Sequence, residues 1–465
     1  MGVQRLCFSL SIIRRPQNVL PLRPYQEKFI QAYLDGACQY GALAPGLGKT
    51  RCAIEIAKRL GATNILYFCP ATVKIAVRAE VSRWWPEAKT HMPSKHEHVG
   101  AFKTRRPLVT IINGDKISRG SFFTKAIVDN GPYDLVVVDE AQNFKNIEAQ
   151  RTRSLYREIV PVCKKVLPLS GTPMTNGPQD LYVPLRYLAP EKLRNKAGAT
   201  MNRMAFEDRY TQVSMQRLGS RLVRVVRGAR NTEELKHRLG TFFMRLTKEE
   251  CLPELPPLQF VGEPILLSER SVELDAVADG LKGLNDEEVI AHLSAMDEHL
   301  MRLLAKLGAA KATAAAKYLQ EFLEGNPHEK IVVWAKHRVT IDRTMEGLKE
   351  FNPQRIDGRD NDKAREKAIE TFLTDPAARV FVGQIHAAGT GITLLNADVQ
   401  PSNVFFIEQT FDFTASEQAA CRCHRLGQQN AVLARVFYAE NVPLDEMVQN
   451  ILIRKQTIIK ELLND

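Results

Sequence analysis

The sequence has no long apolar run. Its longest, LVVV at 135–138 and IVVWA at 331–335, fall far short of the roughly eighteen residues a helix needs to cross a bilayer, so no membrane partner is expected. Paired cysteines are missing too. The eight cysteines, at 7, 38, 52, 69, 163, 251, 421 and 423, contain no CxxC, which excludes a zinc ribbon and a small disulfide scaffold and favours a reducing compartment. Cys421, Cys423 and His424 are too few donors for a four-coordinate metal site. His91, His96 and His98 sit in a polar stretch with Pro and Lys that reads as solvated loop. Acid is comparatively scarce: 53 Asp plus Glu oppose 64 Lys plus Arg, a formal charge of +11, and such an excess suggests an anionic partner such as nucleic acid. The first twenty residues hold three Arg and no acid, the composition of a mitochondrial transit peptide. The first recognisable motif begins at Leu22, however, and the reading is a short basic strand packed on the domain. Leu6 stands where a myristoylation signal needs Ser or Thr.

What is present is ordinary globular composition, 44% hydrophobic and 25% charged over 465 residues, which predicts a folded, soluble chain of two to four domains. Short apolar runs (NILYFCP, LVTIING, YDLVVVDE, KVLPLSG) alternate with helix-like stretches from about 20 to 185, and a second alternation (IVVWAKH, RVFVGQI, NVFFIEQ, LARVFYA) runs from about 311 to 465. Each is the pattern of a parallel sheet covered by helices. The intervening segment, rich in Arg, Lys, Glu and Leu and broken by CLPELPPL at 251–258, reads as two helical insertions joined by a linker. The expected organisation is a first α/β lobe over 1–185, a helical insertion over 186–250 returning to it, a linker over 251–263, a second helical insertion over 264–310, and a second lobe over 311–465.

Two segments carry chemistry together. Gly46, Leu47, Gly48, Lys49 and Thr50 precede a helix, the arrangement in which backbone N–H groups and a helix N-terminus hold phosphates. Lys49 would neutralise β and γ oxygens, and Thr50 would place its hydroxyl on Mg²⁺. Leu43 occupies the first glycine position of the strict phosphate-loop pattern, so the loop alone does not decide. YDLVVVDEAQ sets Asp139 and Glu140 directly after a continuous apolar strand, where a carboxylate pair positions Mg²⁺ and activates water. Downstream, KVLPLSGTPMTN ends another apolar run in Ser170, Gly171 and Thr172. In QAACRCHRLGQ, Arg422 and Arg425 are three apart, hence expected on one helix face, and placed to reach a γ-phosphate across a cleft.

Here the sequence resembles the superfamily 2 helicase-like ATPases, and within them the Swi/Snf family of double-stranded DNA translocases, particularly its small annealing-helicase-like branch. The resemblance runs in order through LRPYQ, GLGKT, CPATVKIAVRAEVSRWWP, IINGDKIS, VVVDEAQNFKN, LSGTPMTNGPQDLY, NTEELKHRLGTFFMRLTKEECLPELPP, IVVWAKHR, RIDGRDNDKAREKAIETF, AAGTGITLLNA and QAACRCHRLGQ. It implies two RecA-like parallel-sheet lobes with helical insertions between them, ATP and Mg²⁺, and sequence-independent binding of double-stranded DNA. It assigns Gln26 to adenine recognition, Lys49 and Thr50 to phosphate and metal, Asp139 to Mg²⁺, and Glu140 to the attacking water. Gln418, Arg422 and Arg425 would complete the site from the second lobe, with Gly391 lining it. For DNA it implies Pro70, Ala71, Thr72, Asn113 and Gly114, the latter run continuing to Asp115, in the first lobe, and Lys336, His337, Gly389 and Thr390 in the second.

The sequence departs from the family at Leu43 and Ala44, where acids are usual, at Phe411, where a Trp is usual, and at Gln384 and His386, which replace hydroxyl residues but can still donate to a phosphate. The leading reading is a DNA-dependent ATPase that moves along duplex DNA, with strand annealing or branch migration as the remodelling the branch implies. A strand-separating helicase would need a wedge; a nucleotide-switched DNA-binding module would use hydrolysis only as a timer. Motifs starting at Leu22 and a closing helix near 465 suggest a compact motor core of viral or bacterial, cytoplasmic type, nuclear if eukaryotic. Arg217, Arg221, Arg224, Arg227 and Arg230, in a stretch where Gly219 and Gly228 argue against one long helix, read as a solvated basic face or an extended edge segment, or else as a phosphate-gripping track.

Overall fold

Strands of a parallel sheet are buried on both faces and therefore read as unbroken apolar runs; the apolar runs noted above form two such sheets. The computed structural model describes residues 21–451 apart from 101–104, 119, 175–176, 196–197, 219–220, 269–271, 285–287, 290–292, 294–297, 390 and 411–412. The N-terminal basic segment, Thr390 and Phe411 therefore lie outside the described residues.

The first sheet contains β1 (Tyr40–Leu43), β2 (Asn64–Cys69), β3 (Lys89–His91), β4 (Leu108–Asn113), β5 (Leu135–Asp139), β6 (Val166–Ser170) and β9 (Phe243–Leu246), in the order β3-β4-β2-β5-β6-β1-β9. Every pairing in it is parallel. Alternate side chains feed opposite cores: Ile65, Tyr67, Leu135 and Val137 pack with the helices Pro24–Leu34 and Lys49–Arg59 on one face. Leu66, Phe68, Val136 and Val138 pack with Tyr182, Phe206 and Tyr210 on the other. Each fully buried Val or Leu contributes about 1.5–3 kcal/mol, so these runs hold the strand ends rigidly in register.

The second sheet contains β10 (Leu258–Ile265), β11 (Ile331–Ala335), β12 (Gln354–Ile356), β13 (Val380–Gln384), β14 (Asn403–Phe406) and β15 (Val432–Ala439), ordered β10-β15-β14-β11-β13-β12 and again parallel throughout. In β11, Val332 and Trp334 face one core while Ile331, Val333 and Ala335 face the other. Among the described residues no helix is long and apolar enough to cross a membrane.

Three expectations about the middle of the chain need correction. Residues 186–250 are not purely helical: β7 (Thr211–Leu218) and β8 (Arg221–Ala229) form an antiparallel hairpin between the helices Arg203–Tyr210 and Thr232–Leu239. The β-branched run around Val223, Val225 and Val226 favours a strand over a helix. The linker ends earlier than 263, because β10 pairs with β15 along its whole length. Its prolines obscured the strand, but Pro264 is tolerated on the sheet edge, where a backbone donor is dispensable. Finally, the boundary at 310 falls inside one 28-residue helix, Glu298–Gly325, whose Leu319 and Leu323 pack into the second sheet's core.

Candidate functional site

Parallel strands deliver their C-terminal ends to one edge, and both sheets carry their candidate residues there. Beyond β1 the chain turns through Ala44–Gly48 into the helix Lys49–Arg59, with Leu47 N–H donating to the Ala44 carbonyl at 3.2 Å. Gly46 and Gly48 have φ of +95° and +82°, a conformation glycine adopts without strain. A Cβ at Gly48 would come within 2.5 Å of Gln26 Nε2. That amide donates to the Leu47 carbonyl at 3.1 Å, while Gln26 Oε1 accepts the Arg23 N–H at 3.0 Å. Gln26 is thereby fastened to the loop, and the positive end of the helix dipole faces it.

Asp139 ends β5, and Glu140 follows with φ +53°, a left-handed conformation that costs a non-glycine residue about 1–2 kcal/mol. The turn brings Glu140 Oε1 to 3.7 Å from Lys49 Nζ. Burial, and then the neighbouring Glu140, push the Asp139 carboxyl up to about 7, with Lys49 opposing the shift. A relay leaves Glu140 on its other side. Gln142 Nε2 donates to Glu140 Oε2 at 2.7 Å, Ser170 Oγ donates to Gln142 Oε1 at 2.6 Å, and Thr172 N–H donates to Ser170 Oγ at 2.9 Å. Gly171 belongs to the same turn; a Cβ there would lie 3.3 Å from Lys49 Nζ.

The second lobe closes this edge with Gln418, Arg422 and Arg425. The two arginines are not on one helix face: the helix Phe413–Ala420 ends before them and they lie in the following turn. The reason is chemical. Arg422 Nε donates to the Gln418 carbonyl at 2.9 Å and Arg425 Nε to the Cys421 carbonyl at 3.2 Å, so guanidinium donors occupy acceptors that a continuing helix would give to backbone N–H groups. Arg422 Nη1 also donates to the Ile392 carbonyl at 3.2 Å, and Arg425 Nη1 to Thr393 Oγ1. Burial first, and then Arg425, lower Arg422 to about 9. Arg425 Cγ would lie 3.6 Å from a Cβ at Gly46, which places the second lobe's turn against the first lobe's glycine loop. Gln418 lines the cleft together with Glu140 and Gln142.

The residues expected to meet DNA also sit at strand ends: Pro70, Ala71 and Thr72 after β2, Asn113 and Gly114 at β4, Lys336 and His337 after β11, and Gly389 after the short helix Ile385–Ala388. Pro70, Ala71, Thr72, Asp115 and Gly389 line one cleft of about 490 Å³ that also contains Glu140 and Gln418. Gly391 (φ +77°) lies with its nearest neighbours at Thr72 and Val73, each 3.1 Å from a Cβ built on it, which is the first lobe's strand-end loop. Lys336 and His337 line a separate cavity beside Glu408. Glu408 accepts the N–H groups of both residues at 2.9 Å and pairs with His337 Nδ1 at 2.6 Å. Gln384 is committed elsewhere than to a ligand, donating to the Lys336 carbonyl at 3.1 Å and accepting Gly358 N–H at 3.0 Å. Cys421 and His424 meet an ammonium, that of Lys248.

Sequence reasoning missed three residues here. Gln142 lies within the quoted VVVDEAQ block, so its place was legible though its relay was not. Glu408 sits at the end of an apolar run, a position that signals little by itself. Lys248 gave no signal, being one charge among several in LTKEE.

Two family models match the chain: the SNF2-related domain over residues 42–261 and the helicase conserved C-terminal domain over 314–427. Its relatives include the DNA annealing helicase and endonuclease ZRANB3 of Bos taurus, 28% identical over 95% of this chain and 40% of the relative. The SWI/SNF-related matrix-associated actin-dependent regulator of chromatin subfamily A-like protein 1 of Drosophila melanogaster is 29% identical over 71% of this chain and 41% of its own length. Its Caenorhabditis elegans homolog is 28% identical over 97% of this chain and 63% of its own length. The chain thus spans about two fifths of the first two relatives.

Proposed function

The chain belongs to the SNF2-related family of helicase-like ATPases, and on that premise we propose that it is an ATP hydrolase driven by double-stranded DNA, along which it moves to anneal or remodel strands. The observation that carries the reading is the meeting of Gly46 with Arg425. A loop suited to phosphates thereby meets an arginine pair from the other lobe, while its Lys49 reaches Glu140 of the strand-end carboxylate pair.

In this reading Gln26 recognises adenine and the Gly46–Thr50 loop holds the phosphates, with Lys49 neutralising their charge. Glu140 orients and deprotonates the water that attacks the γ-phosphorus as the β–γ bridging bond breaks, and the Gln142–Ser170 relay fixes its carboxylate. Arg422 and Arg425 stabilise charge on the transferring phosphoryl group. Thr50 and Asp139 suit Mg²⁺: both neighbour the Tyr67 phenol, and a buried carboxylate pushed up by burial and by a second carboxylate gains from a hard cation. Mg²⁺ would supply charge neutralisation at the phosphate oxygens.

The strand-end loops with Pro70, Ala71, Thr72, Asn113 and Gly114, and with Lys336, His337, Gly389 and Thr390, would grip duplex phosphates. Such contacts carry no base information, so binding would be independent of sequence. The protein's location follows its substrate, in whichever compartment holds duplex DNA and ATP.

The test is ATP turnover with duplex DNA, single-stranded DNA, forked DNA and RNA as stimulators, joined to displacement of a third strand from duplex DNA. Duplex stimulation with third-strand displacement supports the reading. Stimulation by single strands or RNA alone would replace it with a strand-separating helicase, and duplex stimulation without displacement with a nucleotide-timed binding module.

A further inference from the structure

One lysine spans the two lobes without a counter-ion. Lys248 opens the short helix Lys248–Cys251 at the end of the first lobe, directly after β9, and the Thr247–Glu250 capping box fixes where that helix starts. Its side chain is 8% exposed. The ammonium lies 3.0 Å from Cys421 Sγ, 3.0 Å from His424 Nδ1 and 2.7 Å from the His424 carbonyl, all in the second lobe. Three donors meet three acceptors. Among the described residues no carboxylate lies within 4.0 Å of it.

The histidine is set by the same contacts. Because Lys248 can only donate, Nδ1 must accept, so the ring proton sits on Nε2 and is given to the Pro256 carbonyl, 2.6 Å away in the segment joining the lobes. Burial, and then the Lys248 charge, lower His424 to about 4, which keeps it an acceptor at neutral pH. Burying an ammonium among neutral acceptors costs several kcal/mol in desolvation that no ion pair returns. Stability therefore gives no reason for a cation here, whereas geometry gives one. The Lys248 Cε lies 3.7 Å, and the Arg425 Cγ 3.6 Å, from the point a Cβ on Gly46 would occupy. The aliphatic stems of both residues flank the same glycine.

We propose that Lys248 is a positioning residue: it fastens the Cys421–Arg425 turn to the end of the first lobe and so holds Arg425 beside the Gly46–Thr50 loop. His424 extends the connection to the joining segment at Pro256, so that the arrangement of the lobes and the placement of Arg425 are set by one cluster. This rests on the proposed role of Arg425 in ATP turnover.

The experiment is a double-mutant cycle on duplex-stimulated hydrolysis by the full chain, with Lys248→Met, Arg425→Ala and both together. Lys248→Met is expected to lower kcat by about 30-fold while leaving KM for ATP within about threefold, and to add nothing once Arg425 is Ala, the non-additivity of two residues that act as one unit. Multiplying effects, or an unchanged kcat for Lys248→Met, would overturn the proposal. A silent Arg425→Ala would instead remove the premise, and the pin would fall with it. A second comparison does not depend on Lys248→Met folding. His424→Asn keeps an acceptor near the Nδ1 position and His424→Leu does not, so the first should exceed the second by at least about tenfold in kcat; equal rates with equal melting temperatures would refute the pin.

Discussion

Alanine is normally the better residue inside a helix, by about 1 kcal/mol over glycine, yet Gly308→Ala should destabilise this protein. Gly308 lies within the helix Glu298–Gly325. A Cβ there would stand 2.0 Å from Glu408 Oε1, 2.5 Å from its Cδ and 2.7 Å from Thr340 Oγ1. Glu408, 7% exposed, has little room to retreat, and any retreat breaks its hydrogen bonds to the Lys336 and His337 turn. Overpacking costs about 1–3 kcal/mol and a broken hydrogen bond to a charged group about 1.5–3 kcal/mol. After the gain in helix propensity the net destabilisation is about 1.5–5 kcal/mol.

Gly325→Ala supplies the control, since nothing lies within 4 Å of its Cβ position on the same helix, and it should be neutral or slightly stabilising. Denaturant unfolding followed by the buried Trp334 of β11, in a Trp84→Phe, Trp85→Phe background, reads the second lobe for both variants. If Gly308→Ala unfolds at the same or a higher midpoint than its parent, with the slope unchanged, the packing of the helix on the Glu408 clamp has been misjudged.

Four further variants test the site and the hairpin. Glu140→Gln should bind ATP but lose duplex-stimulated phosphate release, and substantial residual release would reassign the base; Lys49→Ala should also lose turnover with the fold intact by circular dichroism. Arg425→Ala should slow hydrolysis by about two to four orders of magnitude, as for an arginine finger, with duplex affinity by fluorescence anisotropy little changed; an equal loss of affinity would place it at the DNA instead. Replacing Arg221, Arg224 and Arg227 with Glu should weaken duplex binding and flatten the slope of log K against log salt by about 0.9 per phosphate released, and an unaltered slope would return them to a solvated face.

The sequence was most legible where burial dictates residue type. The apolar runs of β2, β4, β5, β6, β11, β13, β14 and β15 identified those strands, and the residues just beyond several of them are the candidate site. Short or edge strands were opaque: β12 has three residues, β3 carries Lys and His, and β10 breaks its apolar residues with Gln259, Gly262, Glu263 and Pro264. The hairpin was legible only as one of the alternatives, an extended edge segment, because an arginine spacing by itself does not separate a strand from a solvated face. On the strand Arg221 and Arg224 fall out of phase, and Arg227 is the extra residue of a bulge between Val226 and Gly228. At the site, contacts between side chain and backbone were invisible by nature. No spacing rule shows that an arginine will take the carbonyl four residues before it, or that a lysine will cross to another lobe.

The joining segment sets a geometric limit on any motion of one lobe relative to the other. Leu252 is buried in the first lobe's core with Leu255 packed against it, and the Pro257 carbonyl already accepts the Val432 N–H of β15, so Pro256 alone lies between anchored residues. The two Cα steps from Leu255 to Pro257 span about 7 Å at full extension, with His424 at Pro256 and Arg23, 2.7 Å from Glu254, holding the segment in place. Among the described residues the chain passes between the lobes at this point alone. Such a leash permits pivoting but little separation, so the far rims of the lobes swing through wide arcs while the atoms near Pro256 hardly travel. Advance along a polymer would then be delivered at the rims, and shortening or lengthening the leash by a residue should alter how much rotation each turnover produces more than how fast turnover occurs.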